Sequence, residues 1–276
     1  MLGALIIVFR EVIEAGLIVG IALAVTRGIA GRARWIGAGV GGGVLGAGLV
    51  AVFVQSLSAA FEGVGQELFN AGILAIAVAM LAWHNVWMAR HGRELAAEIR
   101  SAGEAVRVGA KSLAGLAIVV GVAVLREGAE VALFLYGVTA TGEQGGGAGV
   151  LSGGLVGLAL GGALATATYL GLVRIPPRYL FGVTTVLITF LAAGMAAQAV
   201  AYLEQANQVT VLGTTMWDSS GILSDTSLVG RALHTLVGYT DHPTALQLVA
   251  YVGTLAAIFV LMRLAAPKQH ARVQPA

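Results

Sequence analysis

The stretch FREVIEAGLIVG, residues 9–20, breaks an apolar run with Arg10, Glu11 and Glu14 and then returns to it. The device recurs in LREGAEVALFLYG, residues 125–137, where Arg126, Glu127 and Glu130 stand in the same spacing. Residues three and four apart share one face of a helix. Glu11 and Glu14 therefore point the same way with Arg10 one turn before Glu14, and Arg126, Glu127 and Glu130 repeat the arrangement. Each motif begins about nine to fifteen residues into its apolar segment, roughly 14–22 Å deep at about 1.5 Å per residue, near the middle of a bilayer. A charge there costs about 2.5–3.5 kcal/mol even on the gentler insertion scale, so the six must face one another or water, not lipid. In each motif the arginine can neutralise one glutamate and leaves one negative charge over. Such a cage of hard oxygen ligands suits a multivalent cation. Buried ion pairs are poor stabilisers, so duplicating one for stability alone makes little physical sense.

The surrounding composition is that of a membrane protein. The chain is 58% hydrophobic and 11% charged, against about 25% charged residues in soluble domains. It has no cysteine, which excludes disulfides, thiolate metal sites and thiol redox chemistry. A formal net charge of +2 does not point to nucleic acid. The N-terminus lacks the basic region of a cleavable signal peptide. The pattern predicts an all-α polytopic protein with seven transmembrane helices, near 2–25, 35–58, 68–88, 113–138, 149–172, 179–202 and 246–265. Of the longer connections, 89–112 is charged and reads as a linker able to form an interfacial helix. The other, 203–245, is rich in Gly, Ser, Thr and Asp.

Orientation follows from lysine and arginine. With seven spans, Arg27, Arg32, Arg34, Arg90, Arg93, Arg100, Arg107, Lys111, Arg174, Arg178, Arg263, Lys268 and Arg272 all fall on one side, and only Arg231 falls on the other. This predicts an outside N-terminus and a cytoplasmic C-terminus. Glu62, Glu67, Glu143, Glu204, Asp218, Asp225 and Asp241 then make an acidic, cation-attracting outer face. The charged motifs, the GAGV at 37–40 and 147–150, and the ELF and YLF at 67–69 and 179–181 recur at offsets of 116, 110 and 112 residues. A three-span unit repeated in tandem inserts its second copy upside down, a transporter design with the binding site near the midplane. The units expected are residues 1–88, a linker 89–112, an inverted unit 113–204, an outer loop 205–245, and a seventh helix with its cytoplasmic tail 246–276. Gly37, Gly39, Gly41 and Gly43 in the second span, and Gly153, Gly157 and Gly161 in the fifth, suit close helix packing.

Two R-E-x-x-E motifs in the first and fourth of seven spans resemble the high-affinity iron permease family, the fungal oxidase-coupled permeases and their bacterial EfeU-type relatives. AVAMLAWHNVWMARHGREL in the third span and WDSSGILSDTSLVGRALHTLVGY before the seventh agree with it. The likeness covers nearly the whole chain apart from the last ten residues. It implies iron transport across the plasma membrane, with Glu11, Glu14, Glu127 and Glu130 binding the metal, and it favours ferric iron. Charge arithmetic alone does not choose between Fe(II) and Fe(III). No cofactor is expected to be bound permanently; iron is the substrate. The resemblance also implies a periplasmic or extracellular iron-handling partner (an oxidase, peroxidase or binding protein). Homo-oligomers are compatible with it. Asn70 stands where several relatives carry an acidic residue, leaving Glu67 as the carboxylate there.

Arg10 and Arg126 compensate charge. His84 and Met80, one turn apart, and Glu67 are candidates for a secondary metal path, although packing and a hydrogen bond within the bundle account for Met80 and His84 more simply. Residues 228–237 carry helical apolar spacing ending at Gly238 and predict an amphipathic helix that caps the bundle, gates the site or docks a partner. The rival readings are a transporter of another divalent cation or of protons, and a non-transporting membrane sensor or subunit. The spans offer no nucleophile–base pair and no metalloprotease spacing, so the chain is not expected to be an enzyme.

Overall fold

A computed structural model describes residues 1–60, 65–140, 146–171 and 177–265. Glu62, Glu143, Arg174, Lys268 and Arg272 of the expected charge pattern lie outside them. The described residues form eight α-helices: α1 (Leu2–Val25), α2 (Arg32–Ala60), α3 (Gln66–Arg107), α4 (Leu113–Ala140), α5 (Gly146–Tyr169), α6 (Pro177–Gln205), α7 (Leu228–Val237) and α8 (Ala245–Ala265). Each stretch read as a span is helical among the described residues, except that α5 ends at Tyr169, short of the expected 172. By length and composition alone, five segments can cross a membrane: 32–57, 66–87, 147–169, 182–205 and 245–265. α1 and α4 are 24 and 28 residues long, and each carries the three charges of its motif.

The segment 89–107 is not a separate interfacial helix. α3 runs unbroken through it to Arg107, because no proline interrupts the sequence. Ile99, Ala102 and Val106 recur at helical spacing and are buried beneath the bundle. A Cβ on Gly103 would stand 2.9 Å from Val25 Cγ1, so the missing side chain lets this extension close on the end of α1. Gly109, at φ +75°, then stops the helix, with the Ala110 amide donating to Ala105 O at 2.8 Å.

Two apolar clusters hold the bundle. The first joins Ile7, Leu74, Leu81, Phe134, Ile188, Met195 and Ile258, and the second joins Ile18, Ala22, Ile36, Ile99, Leu116 and Val120. α1 passes from the first cluster (Ala4, Ile7) to the second (Ile18, Ala22), and α3 does the same. α4 runs the opposite way, from Leu116 and Val120 to Phe134 and Val138. Both charged motifs therefore lie between the clusters, on helices of opposite direction. Leu45, Leu49, Phe53, Trp83, Ile118 and Leu151 are exposed, the apolar surface that lipid would cover.

Glycines set the closest approaches. A Cβ on Gly43 would lie 2.6 Å from Gly121 O and 2.8 Å from Val124 Cβ of α4. One on Gly157 would lie 2.6 Å from Leu5 O and 3.2 Å from Val8 Cβ of α1. Gly121 and Val124 each stand 116 residues after Leu5 and Val8, so the two packings correspond contact for contact. Gly37 and Gly41 meet nothing within 4 Å, so the packing edge of α2 passes through Gly39 and Gly43 and not through them.

The connection between α6 and α8 folds over one end of the bundle. Ser227 accepts from the Gly230 amide at 3.0 Å to start α7, and Gly238, at φ +71°, ends it. The Tyr239 hydroxyl bonds Leu223 O at 2.7 Å and Ser219 Oγ at 2.6 Å. Glu204 accepts from Thr244 Oγ1 and Gln247 Nε2, each at 2.8 Å, tying α6 to the start of α8. His242 sits between Asp241, 2.6 Å away, and Asp218, 3.1 Å away. The Asp241 hydrogen bond, aided by the Asp218 charge, raises the His242 pKa above its ordinary value. Hydrogen bonds from Ser220 hold the Asp218 carboxyl below its own.

If the glycine edges set the helix approach, Gly43→Ala and Gly157→Ala each lower the thermal midpoint of the detergent-purified protein by about 2–10 °C, from an overpacking cost of about 1–3 kcal/mol. Gly41→Ala leaves the midpoint unchanged. An equal loss at all three positions would contradict the contact assignment.

Candidate metal centre

Between the two apolar clusters, α1, α3 and α4 each turn ionisable side chains inward. Arg10, Glu11 and Glu14 come from α1, His84 and Asn85 from α3, and Glu127 and Glu130 from α4; all seven are buried. The sequence places them there simply. Leu74, Ala77 and Leu81 occupy one face of α3 in the first cluster, and the next turn of that face is His84 and Asn85.

The two arginines are held differently. Arg10 donates through Nε to Glu14 Oε1 at 2.9 Å and through a terminal nitrogen to Asn85 Oδ1 at 3.0 Å. Asn85 in turn donates to Thr189 Oγ1 of α6 at 3.4 Å, and that hydroxyl donates to Thr185 O at 2.7 Å. Arg126 donates through Nε to Glu130 Oε1 at 3.1 Å and stacks on the Trp87 ring, 4.1 Å from its centroid. The side chain of Arg10 is 2% exposed and that of Arg126 35%, so the Arg126 end of the cluster is the less enclosed of the two.

The arginines engage only one oxygen of Glu14 and one of Glu130. Among the described residues, both Glu11 oxygens, Oε2 of Glu14, Glu127 and Glu130, and both ring nitrogens of His84 are buried with no partner beyond one another. His84 Nδ1 meets Glu130 Oε2 directly, and its Nε2 lies 3.6 Å from Glu14 Oε2. A buried acceptor without a partner costs about 1–3 kcal/mol, more when charged. A bound cation would offset that cost. One ligand atom from each of Glu11, His84, Glu127 and Glu130 lies within 4.8 Å of the others. Opposite ligands of a first-row divalent ion stand about 4–4.4 Å apart, given bonds of about 2.0–2.2 Å, so a small contraction would close this set around one ion.

All four motif glutamates meet in one place. Glu14 stands at its edge, held by Arg10, while His84 stands inside it, so its partners within the bundle are the motif carboxylates. Met80 packs against the first apolar cluster, and Glu67 is exposed in the first turn of α3. Neither joins the compact donor group. Sequence reading missed Asn85 and Trp87 as partners of the two arginines. The adjacent polar pair His84–Asn85 inside an apolar run was the available signal. An apolar recess of about 340 Å³ beneath the connection between α6 and α8, bordered by Leu233, Tyr239 and Tyr251, is lined mainly by aromatic and aliphatic groups and lies apart from these charges.

The chain matches the model of the iron permease FTR1 family over residues 1–268. It is 32% identical over 251 residues to the ferrous iron permease EfeU of Escherichia coli O6:H1, covering 89% of each chain. It is 30% identical over 260 residues to the ferrous iron permease EfeU of Yersinia pestis, covering 93% of this chain and 91% of that one. No solved structure shows a significant match. The protein is a multi-pass protein of the plasma membrane. A match across nearly the full length, carried by relatives at this identity, means that the chain belongs to the iron permease FTR1 family.

Proposed function

We propose that the chain is a permease that carries Fe(II) into the cytoplasm through one site shared by the two R-E-x-x-E motifs. The observation that carries the reading is the convergence of buried carboxylate oxygens from two helices on one another and on His84, with each arginine turned to one glutamate's other oxygen. With His84 a neutral metal ligand, four ionised glutamates and two guanidiniums leave two negative charges uncompensated. Fe(II) cancels them, and Fe(III) leaves one positive charge in a low-dielectric setting, where net charge is costly. The relatives are named ferrous iron permeases. The resemblance by itself favoured the ferric ion; charge balance and those names favour the ferrous one.

The transport path follows from the same elements. The opposite directions of α1 and α4, and the matching glycine contacts, support two inverted three-helix units with α8 outside the repeat. Seven spans put the N-terminus outside. Cations collect at the acidic outer face, lose water to the glutamates at mid-membrane, and leave when the units rock. Arg10 and Arg126 brace Glu14 and Glu130 while the site is empty. A periplasmic iron-handling protein would dock near α7, and the chain acts as a carrier, not an enzyme. A permease for another divalent cation would share the carboxylates, and the uptake assay separates the two.

In liposomes holding only this protein, Fe(II) supplied with a reductant should enter faster than Fe(III) chelate. Glu11→Gln, Glu14→Gln, Glu127→Gln and Glu130→Gln should each cut the rate by about tenfold or more at near-normal reconstitution. Arg10→Lys and Arg126→Lys should be milder, because lysine keeps the charge but loses the planar fork. Normal uptake by a Glu14→Gln, Glu130→Gln double variant would make the motifs structural ion pairs. For orientation, a tag at the C-terminus should be protected in intact cells and one inserted near residue 213 should be labelled from outside; the reverse labelling would overturn the inverted-unit scheme.

A further inference from the structure

We infer that His84 is a direct ligand of the transported ion and the residue that selects its class, admitting the later first-row dications, from Fe(II) onward, over Mg²⁺, Ca²⁺ and Mn²⁺. The inference rests on the proposed iron path. His84 belongs to neither motif and comes from α3, the third helix of the site. Its side chain is 2% exposed, and the groups that its ring nitrogens meet are carboxylates of the donor group itself. One nitrogen abuts Glu130 of α4 and the other lies 3.6 Å from Glu14 of α1, so the imidazole stands between carboxylates of both motifs. Among the described residues it is the only nitrogen in the donor group with a lone pair to give.

The ring is also held in place. Leu81, one turn before it, is fully buried in the first apolar cluster. Asn85, the next residue, is tied to Arg10 and Thr189. Rotation of α3 is therefore fixed on both sides, and the ring has no solvent-facing alternative.

The chemistry explains why a nitrogen is useful there. An all-carboxylate cage is a good site for Ca²⁺ and Mg²⁺, hard ions that prefer oxygen. Those ions vastly outnumber free iron outside a cell, and carboxylates alone give little means of refusing them. Imidazole suits Fe(II), Co(II), Ni(II) and Zn(II), and affinity for nitrogen-containing sites rises from Mn(II) through Fe(II). Three carboxylates with one imidazole keep the charge that attracts a dication and add a donor that hard ions use poorly.

Initial uptake of Fe(II), Mn(II) and Ca²⁺ into liposomes should be compared for wild type, His84→Asp and His84→Gln. The expected result is that His84→Asp still moves cations but loses the Fe(II)-over-Mn(II) preference by about tenfold or more, the scale of one lost metal contact. Glu127→Gln, by contrast, should lower all three rates together. A second readout needs no variant: the Fe(II)–nitric oxide adduct of the purified wild-type chain should show pulsed-EPR nitrogen couplings that change on ¹⁵N-histidine labelling. An unchanged metal preference in His84→Asp, or an adduct without histidine couplings, would overturn the inference while leaving the iron path intact. A wild-type protein that moves no iron would defeat the iron path, and this inference with it.

Discussion

Everything in this bundle answers to one constraint: ionised carboxylates cannot sit in hydrocarbon unless other groups surround them. Four glutamates and two arginines stand mid-way along helices whose remaining residues are almost all apolar. Facing lipid, each would oppose insertion by a few kcal/mol. Facing each other, they need helices brought close, rotated correctly and held there. The glycine edges of α2 and α5 provide the closeness, clasping α4 and α1 respectively. The apolar clusters on either side of the charges fix the rotation. The polar centre is thus the reason for the packing, and the packing is what keeps the polar centre dry.

The two halves are alike in plan and unlike in detail, and the difference is informative. Arg10 is locked through Asn85 to Thr189, whereas Arg126 rests on the face of Trp87 and remains partly exposed. If the chain works as the two inverted units proposed above, any one conformation needs such asymmetry, because a site open equally to both sides would be a channel. α3 makes the asymmetry, since it contributes Asn85, His84 and Trp87 to one shared site.

Much of this was legible in the sequence, for physical reasons that can be named. The charged motifs were readable because charge inside an apolar run has few explanations, and the helix period fixed which side chains share a face. The C-terminal end of α7 was readable because Gly238 is a strong cap residue directly after the helical apolar spacing. His84 was readable as a histidine held by a neighbour inside the bundle, but which neighbours those are, the carboxylates of both motifs, depends on the packing of α3. The continuation of α3 to Arg107 was hidden for another reason. Its charged outer face resembles a surface linker, while its three buried contacts, Ile99, Ala102 and Val106, become meaningful only when the ends of α1 and α4 lie above them. The glycine register of α2 depended likewise on the partner helix, which sequence spacing alone cannot supply.

The central claim is that the two motifs build one site and not two. It is tested most directly by counting Fe(II) ions bound per purified chain by anaerobic equilibrium dialysis, in the wild type and in Glu11→Gln and Glu127→Gln. The account predicts one tightly bound ion per chain, lost on substituting either residue, because each motif supplies part of the same coordination sphere. Two ions per chain, each lost only with its own motif, would contradict it.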